Sequence, residues 1–263
     1  LDLAMFPLAN LRAHGMGQGG FPSDHPHATR FWLLGDTGVI ALSRGGMLMP
    51  LGTESSDLAS LRLAVSGLRI EGALGPATAV RPILSALGLT LVPARKDEDE
   101  PAFALDLAAL RVPDAAGARL VSATDAYLPL LLGWRAAYHR EILGTPAGDS
   151  EAMARDDSLR MIQRGNHRLL LMDDQPVALT GFNATLPDIV QVGGVYTPPA
   201  LRGRGYARLA VALHLAEARA AGVTRAVLFA ASPAAARAYV SIGFRPNGSF
   251  ALVLFAAPVT IAA

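Results

Sequence analysis

Residues 195–214 read VYTPPALRGRGYARLAVALH, and the succession in this stretch decides the fold. A β-prone run stops at Pro198 and Pro199, neither of which can donate a hydrogen bond to a strand ladder. A glycine-rich hexapeptide follows, RGRGYA at 202–207. From Tyr206 onward, Ala207, Val211, Leu215 and Ala218 fall on one stripe at helical spacing, with Gly222 placed to end the helix. A strand therefore enters a helix through a glycine turn. Gly203 and Gly205 let successive backbone N–H groups point into one space, and the helix N-terminus adds partial positive charge, which suits a phosphate or pyrophosphate. A tight strand-to-helix turn that needs glycine only for its dihedral angles is the competing reading. A dinucleotide-binding fingerprint would need glycine where Arg208 stands, and a P-loop would need Gly-Lys-Ser/Thr; the sequence has neither.

Working outward, ARLVSA at 118–123 predicts a strand. Asp125 then offers an N-cap for a helix reaching Leu143 through Leu128, Leu131, Leu132, Trp134, Ala137 and Tyr138. A second helix is expected from Ser150 to Gln163, stopped by Gly165. HRLLLM (167–172) and PVALTGFNA (176–184) predict a hairpin turning at Asp173–Gln175, and IVQVGGVYT (189–197) adds a third strand. Gly193 and Gly194 are costly inside a strand unless the backbone bulges or something approaches it closely. TRAVLFA (224–230) predicts a buried strand. SPAAARAYVSIGF follows as a helix with Ser232 as N-cap and Pro233 at its first position, and SFALVLFA (249–256) closes the series. The order β, α, α, β, β, β, α, β, α, β implies an α+β fold with a mixed, mostly antiparallel central sheet flanked by helices.

VYTPPALRGRGYARLAVALH resembles the acetyl-coenzyme A signature of the GNAT superfamily of N-acetyltransferases: Arg or Gln, two residues, Gly, one residue, then Gly or Ala. Arg202, Gly205 and Ala207 fill that pattern. The resemblance extends over 117–256, because SPAAARAYVSIGF is similar to the family's later coenzyme-binding helix. Where the family often has Asn at the first position, this chain has Ser232, whose hydroxyl can still hydrogen-bond; Tyr239 and Gly243-Phe244 match. The resemblance implies the GNAT fold, with acetyl-CoA as co-substrate held by Val195, Tyr196, Thr197, Arg202, Gly203, Arg204, Gly205, Tyr206 and Ala207, and by Ser232 and Ala235. It implies that the backbone of Val195 and Thr197 pairs with the pantetheine arm and polarises the thioester carbonyl. It also makes Tyr239 the proton donor to the departing thiolate, against the alternative of a tyrosine packed in the core. Glu141, one helix turn from Tyr138, is the candidate general base; Asn183 and Gln191 are candidates for the acceptor cleft.

The first half reads as a worn copy of this plan. LLGDTGVIALS (33–43) lies over LMDDQPVALT (171–180), with Leu34, Asp36, Ala41 and Leu42 matching Leu171, Asp173, Ala178 and Leu179. FALDL (103–107) lies over FALVL (250–254). GALGPA (72–77) stands as the counterpart of the glycine turn, lacking its arginine and followed by a helix that Pro82 should interrupt, while KDEDE (96–100) reads as a solvated loop. Two tandem copies are expected, a degenerate one at 1–115 and the acetyltransferase domain at 116–263.

Composition narrows the partners. Of the 263 residues 51% are hydrophobic and 17% charged, with net charge +1, which disfavours disorder and a nucleic-acid surface. The absence of cysteine removes disulfides, thiolate nucleophiles and Cys-ligated zinc, and the six histidines show no metal-ligand spacing, so no metal is expected. No Gly-x-Ser-x-Gly elbow occurs. LDLAMFPLAN has no basic region followed by a long apolar run, and the tail from Asn247 is too short to span a bilayer, so the expectation is a cytoplasmic protein without a membrane partner, monomer or homodimer. The expected activity is transfer of acetyl from acetyl-CoA to an amine, on a small molecule or peptide, by direct attack in a ternary complex. A non-catalytic acyl-CoA sensor and a structural interaction module are the alternatives.

Overall fold

The computed structural model describes residues 2–17, 19–34, 38–52 and 58–261. Its elements in chain order are α1 (Met5–His14), β1 (Thr29–Leu34), β2 (Gly38–Ser43), β3 (Met47–Leu51), α2 (Leu58–Val65), β4 (Arg69–Pro76), α3 (Ala77–Ala86) and β5 (Ala94–Asp106), followed by β6 (Ala118–Ser122), α4 (Leu128–Leu143), α5 (Ala147–Arg164), β7 (His167–Met172), β8 (Gln175–Thr185), β9 (Ile189–Tyr196), α6 (Tyr206–Ala220), β10 (Arg225–Phe229), α7 (Pro233–Ser241) and β11 (Arg245–Thr260). Two compact units result. One comprises Leu1–Pro101 with Gly248–Ala263, the other Ala102–Asn247.

In the second unit the strands run β5-β10-β9-β8-β7-β6. β6 to β9 form an antiparallel meander, β10 joins β9 in parallel, and residues 102–106 of β5 close the edge antiparallel to β10. Helix α6 is the crossover that makes the parallel pair possible. Its buried Val211, Leu215 and Ala218 pack with Val190, Val192 and Leu228, and at about 1.5–3 kcal/mol per large apolar side chain this cluster dominates the stability of that layer. Leu131 of α4 and Met161 of α5 pack with Leu169, Leu179 and Tyr196.

The first unit repeats this topology. β1, β2 and β3 are antiparallel, β4 joins β3 in parallel, and the next strand pairs antiparallel with β4. That next strand is β11, from the end of the chain. The matched segments FALDL and FALVL therefore change places: residues 102–106 pair with β10, and residues 250–254 pair with β4.

Three local expectations are corrected. KDEDE is not a loop but the start of β5, because strand alternation puts Asp97 and Asp99 on Arg81 while Lys96, nearly buried, pairs with Glu98 and Glu100. Pro82 does not break its helix: α3 continues to Ala86, since burying Val80, Ile83 and Leu84 offsets the roughly 3 kcal/mol cost of an interior proline. GALGPA is not a glycine turn either, for Gly72 to Pro76 form the end of β4, whose position matches that of β10. The topological counterpart of 202–207 is the β3–α2 connection, of which residues 53–57 lie outside the described residues, as does Asp36.

Candidate active site

β9 carries an irregularity at its two glycines. Leu179 pairs with Tyr196 and Gly181 with Gly193, so Gly194 and Val195 together oppose Thr180 alone. This is a β-bulge, and Gly194 holds φ +63°, a conformation glycine adopts without strain. At Gly193 an added Cβ would meet the exposed Asn183 side chain, which would have to swing aside. On its other side β9 pairs with β10 only from Ile189 to Val192, opposite Arg225 to Leu228. Residues 193–196 thus extend past the parallel ladder with their edge toward β10 unpaired among the described residues. Buried Gln191 donates from Nε2 to Val192 O at 2.6 Å and stays on the ladder rather than in a cleft, whereas Asn183 is exposed.

After β9, a short 3-10 turn at Pro199–Leu201 leads into the glycine turn. Gly203 and Gly205 adopt φ +79° and +80°. Gly205 is the N-cap residue of α6, and Leu209 N–H donates to Gly205 O at 3.0 Å, so the helix ladder begins there and the amides before it have no intrahelical acceptor. Nothing would meet a Cβ at Gly203 within 4 Å, which leaves open space over the turn.

The Arg202 side chain turns back from this space. Its Nε donates to Thr197 O at 2.9 Å and its Nη2 to Glu141 Oε2 at 2.5 Å, while Tyr196 Oη donates to Glu141 Oε1 at 3.3 Å. The bond to Glu141 raises the Arg202 pKa; burial, then the Glu141 charge, raises that of Tyr196. Three sequence-selected residues, Glu141, Tyr196 and Arg202, are brought together. Val195 and Thr197 are half-buried beside them, and Arg204, Tyr206 and Ala207 continue the turn. Ser232 caps α7 by accepting from Ala235 N at 3.2 Å, which leaves its own hydroxyl hydrogen free to donate. Tyr239 is buried against Phe244, ring centroids 6.1 Å apart, in the cluster against which Val195 and Ala235 also pack.

A buried polar group in the same unit escaped the sequence. Asp157 of α5 accepts from Arg135 Nη2 at 2.6 Å, from His139 Nε2 at 2.8 Å and from Arg160 at 2.5 Å. Burial alone would raise the Asp157 pKa; the bonds from His139 and the two arginines hold it far below the usual carboxylate range. Only the four-residue spacing of Arg135 and His139 was visible beforehand. Among the described residues no cluster of three His, Cys, Asp or Glu side chains could hold a metal, and no helix is long and apolar enough to cross a membrane.

Residues 134–244, which include the bulge, the glycine turn and α7, match the family model described as Acetyltransferase (GNAT) family. The chain carries a GNAT domain. Solved structures agree with the fold. A GCN5-related N-acetyltransferase from Kribbella flavida superposes with TM-score 0.57 at 17% identity, covering 87% of this chain and 90% of its own. A tandem GNAT protein from the clavulanic acid biosynthesis pathway gives TM-score 0.54 at 15% identity over 100% of this chain and 95% of its own. A Drosophila protein gives 0.63 at 14% identity, covering 96% and 90%. No curated protein matches the sequence. The whole chain thus has a tandem GNAT fold, with the GNAT domain in its second half.

Proposed function

We propose that the protein is an N-acetyltransferase that moves the acetyl group of acetyl-CoA onto an amine, with the coenzyme bound to the GNAT domain. The observation that carries this reading is the juxtaposition of two features: β9 runs past its parallel partner at the Gly193–Gly194 bulge, and α6 starts four residues after Arg202 with amides that lack intrahelical acceptors over open space. In this reading the pantetheine arm lies along the free edge of residues 193–196, its amides pairing with Val195 and Thr197. The pyrophosphate accepts from the amides of Gly203 to Ala207, and the Ser232 hydroxyl donates to the arm near Ala235. An oxyanion hole made by a backbone N–H needs no side chain and is rigid because the bulge is hydrogen-bonded on its β8 side.

The reaction is a direct displacement. The neutral amine attacks the thioester carbon and a C–N bond forms; the C–S bond breaks, Tyr239 protonates the thiolate, and the amine's proton passes to Glu141. We read the chain as a duplication with copies at 1–115 and 116–263, the first having lost the coenzyme turn. Release of free thiol from acetyl-CoA over a panel of amines, with isothermal calorimetry for the coenzyme, is the test. Binding with thiol release by at least one amine supports the reading. Binding without release leaves an acyl-CoA sensor, and no binding leaves an interaction module.

A further inference from the structure

Arg135 of α4 is a cation buried beyond what its partners neutralise. Its side chain is 6% exposed, and Nη2 donates to Asp157 Oδ2 at 2.6 Å, while Nε and Nη1 are buried without a hydrogen-bond partner among the described residues. The guanidinium carbon lies 4.2 Å from the centroid of the Tyr138 ring, a contact that fixes its plane without occupying a donor.

The bare Nη1 faces the bulge of β9. A Cβ on Gly194 would lie 3.5 Å from Arg135 Nη1, so Nη1 is within about 5 Å of the Gly194 Cα, one bond further on. Because residue 194 is glycine, no side chain of its own separates the guanidinium from the peptide groups on either side of it. The other neighbours of that position are Met161 Cε and His167 Nε2, and neither brings a compensating negative charge. Burial, then the charge of Arg135, pushes the His167 pKa down to about 3, so its ring is neutral at pH 7. Asp157 lies on the other terminal nitrogen of Arg135, and it also accepts from Arg160 at 2.5 Å and His139 at 2.8 Å. Buried ion pairs are weak evidence for stability, and donors left unpaired in the interior cost free energy. What such a group does supply is a fixed positive potential where the dielectric is low.

We infer that Arg135 imposes a positive field on the Gly193–Gly194 bulge, and that this field stabilises the oxyanion developing on the thioester carbonyl during acetyl transfer. The inference rests on the acetyl-transfer reading, which supplies the thioester. Arg135 acts at a distance as a positioning residue, while the backbone N–H of the bulge makes the contact.

The sign of the field distinguishes this role from a structural one. Arg135→Gln removes the positive charge. Asp157→Asn removes the negative charge that offsets it and keeps an acceptor for Nη2. A strut joining α4 to α5 would be weakened by both changes in the same direction, whereas the field at the bulge changes in opposite directions.

The experiment reads the carbonyl stretch of acetyl-CoA, isotope-labelled at the thioester carbonyl and bound to the full-length chain, by isotope-edited infrared spectroscopy. A stronger positive potential at the oxygen lowers that frequency. The stretch should rise in Arg135→Gln, fall in Asp157→Asn and stay near the parent value in Arg135→Lys. With an amine that supports thiol release, kcat should fall about tenfold in Arg135→Gln, as expected for one partly offset charge roughly 7 Å away at an effective dielectric constant of about 20. The KM for acetyl-CoA should stay within about threefold. Any pattern other than a rise in Arg135→Gln with a fall in Asp157→Asn overturns the inference and leaves Arg135 as a strut. If one of the two variants fails to fold, the other decides by the sign of its shift. Failure of acetyl-CoA to bind overturns the acetyl-transfer reading and the inference with it. Binding with the two opposite shifts but no thiol release from any amine would uphold the field while sinking acetyl transfer.

Discussion

Arg202 Nη2 donates to Glu141 Oε2 at 2.5 Å, joining the first residue of the glycine turn to the last turn of α4. A carboxylate near a helix C-terminus is disfavoured by the helix dipole, and the guanidinium offsets that. The two residues selected for separate roles, cofactor binding and proton acceptance, thus share one contact.

The two roles separate in Glu141→Gln. The pair is exposed, 49% for the Arg202 side chain and 35% for Glu141, so screening limits its contribution to about 1 kcal/mol or less. Coenzyme affinity measured by calorimetry should change less than about fivefold. As the proton acceptor Glu141 should matter far more to turnover, with kcat falling by about 10²-fold. A kcat within threefold of the parent would leave Glu141 as a residue that only positions Arg202.

Gly205→Val should abolish coenzyme binding in a folded protein. At φ +80° a β-branched residue costs about 1–3 kcal/mol, and its Cβ would sit 3.3 Å from Arg208 Nη2, crowding the mouth of the turn. Circular dichroism would establish the fold and calorimetry the loss; unchanged affinity would place the ligand elsewhere.

Tyr239→Phe keeps the ring against Phe244 and removes only the hydroxyl. If that hydroxyl protonates the thiolate, kcat drops by roughly 10²-fold at nearly constant coenzyme affinity. A purely packed tyrosine predicts a stability loss of about 1 kcal/mol and near-normal kcat, which would end the acid role.

Titration with acetyl-CoA should reach one molecule per chain. The N-terminal segment that follows β3 in the chain, residues 52–57, reads GTESSD, without the Arg or Gln of the signature and with two acidic residues in its sequence. A stoichiometry near two would refute this.

Acid should destabilise the fold through its buried imidazoles. Burial, then Arg168 and His167, pushes the pKa of His214 down from 6.5 to about 3, so the unfolded chain binds its proton first. Its stabilisation is complete above pH 6.5 and is lost as pH falls toward 3, by about 1.4 kcal/mol per pH unit. Urea titrations across that window should show a shallower dependence in His214→Phe, whose ring can keep the stack on Phe182. An unchanged slope would mean His214 protonates freely in the folded state.

What the sequence by itself determined is local. Hydrophobic period, glycine and proline punctuation and the Ser232-Pro233 cap suffice to place β7 to α7 within a few residues, because each signal acts over one turn or one ladder step. The motif Arg202, Gly205, Ala207 was legible for the same reason: backbone dihedrals and helix-end amides are properties of contiguous residues. Tertiary structure decided what contiguity cannot express. FALDL and FALVL carry the same alternation and fit either antiparallel edge, so only the assembled sheets show that residues 102–106 pair with β10 and 250–254 with β4. KDEDE becomes strand because Arg81, from a helix, neutralises one of its faces. Arg135, His139 and His167, with the half-buried Asp157, look isolated in the chain and become one polar group only when α4, α5 and β7 pack, since burial makes them depend on partners far away in sequence.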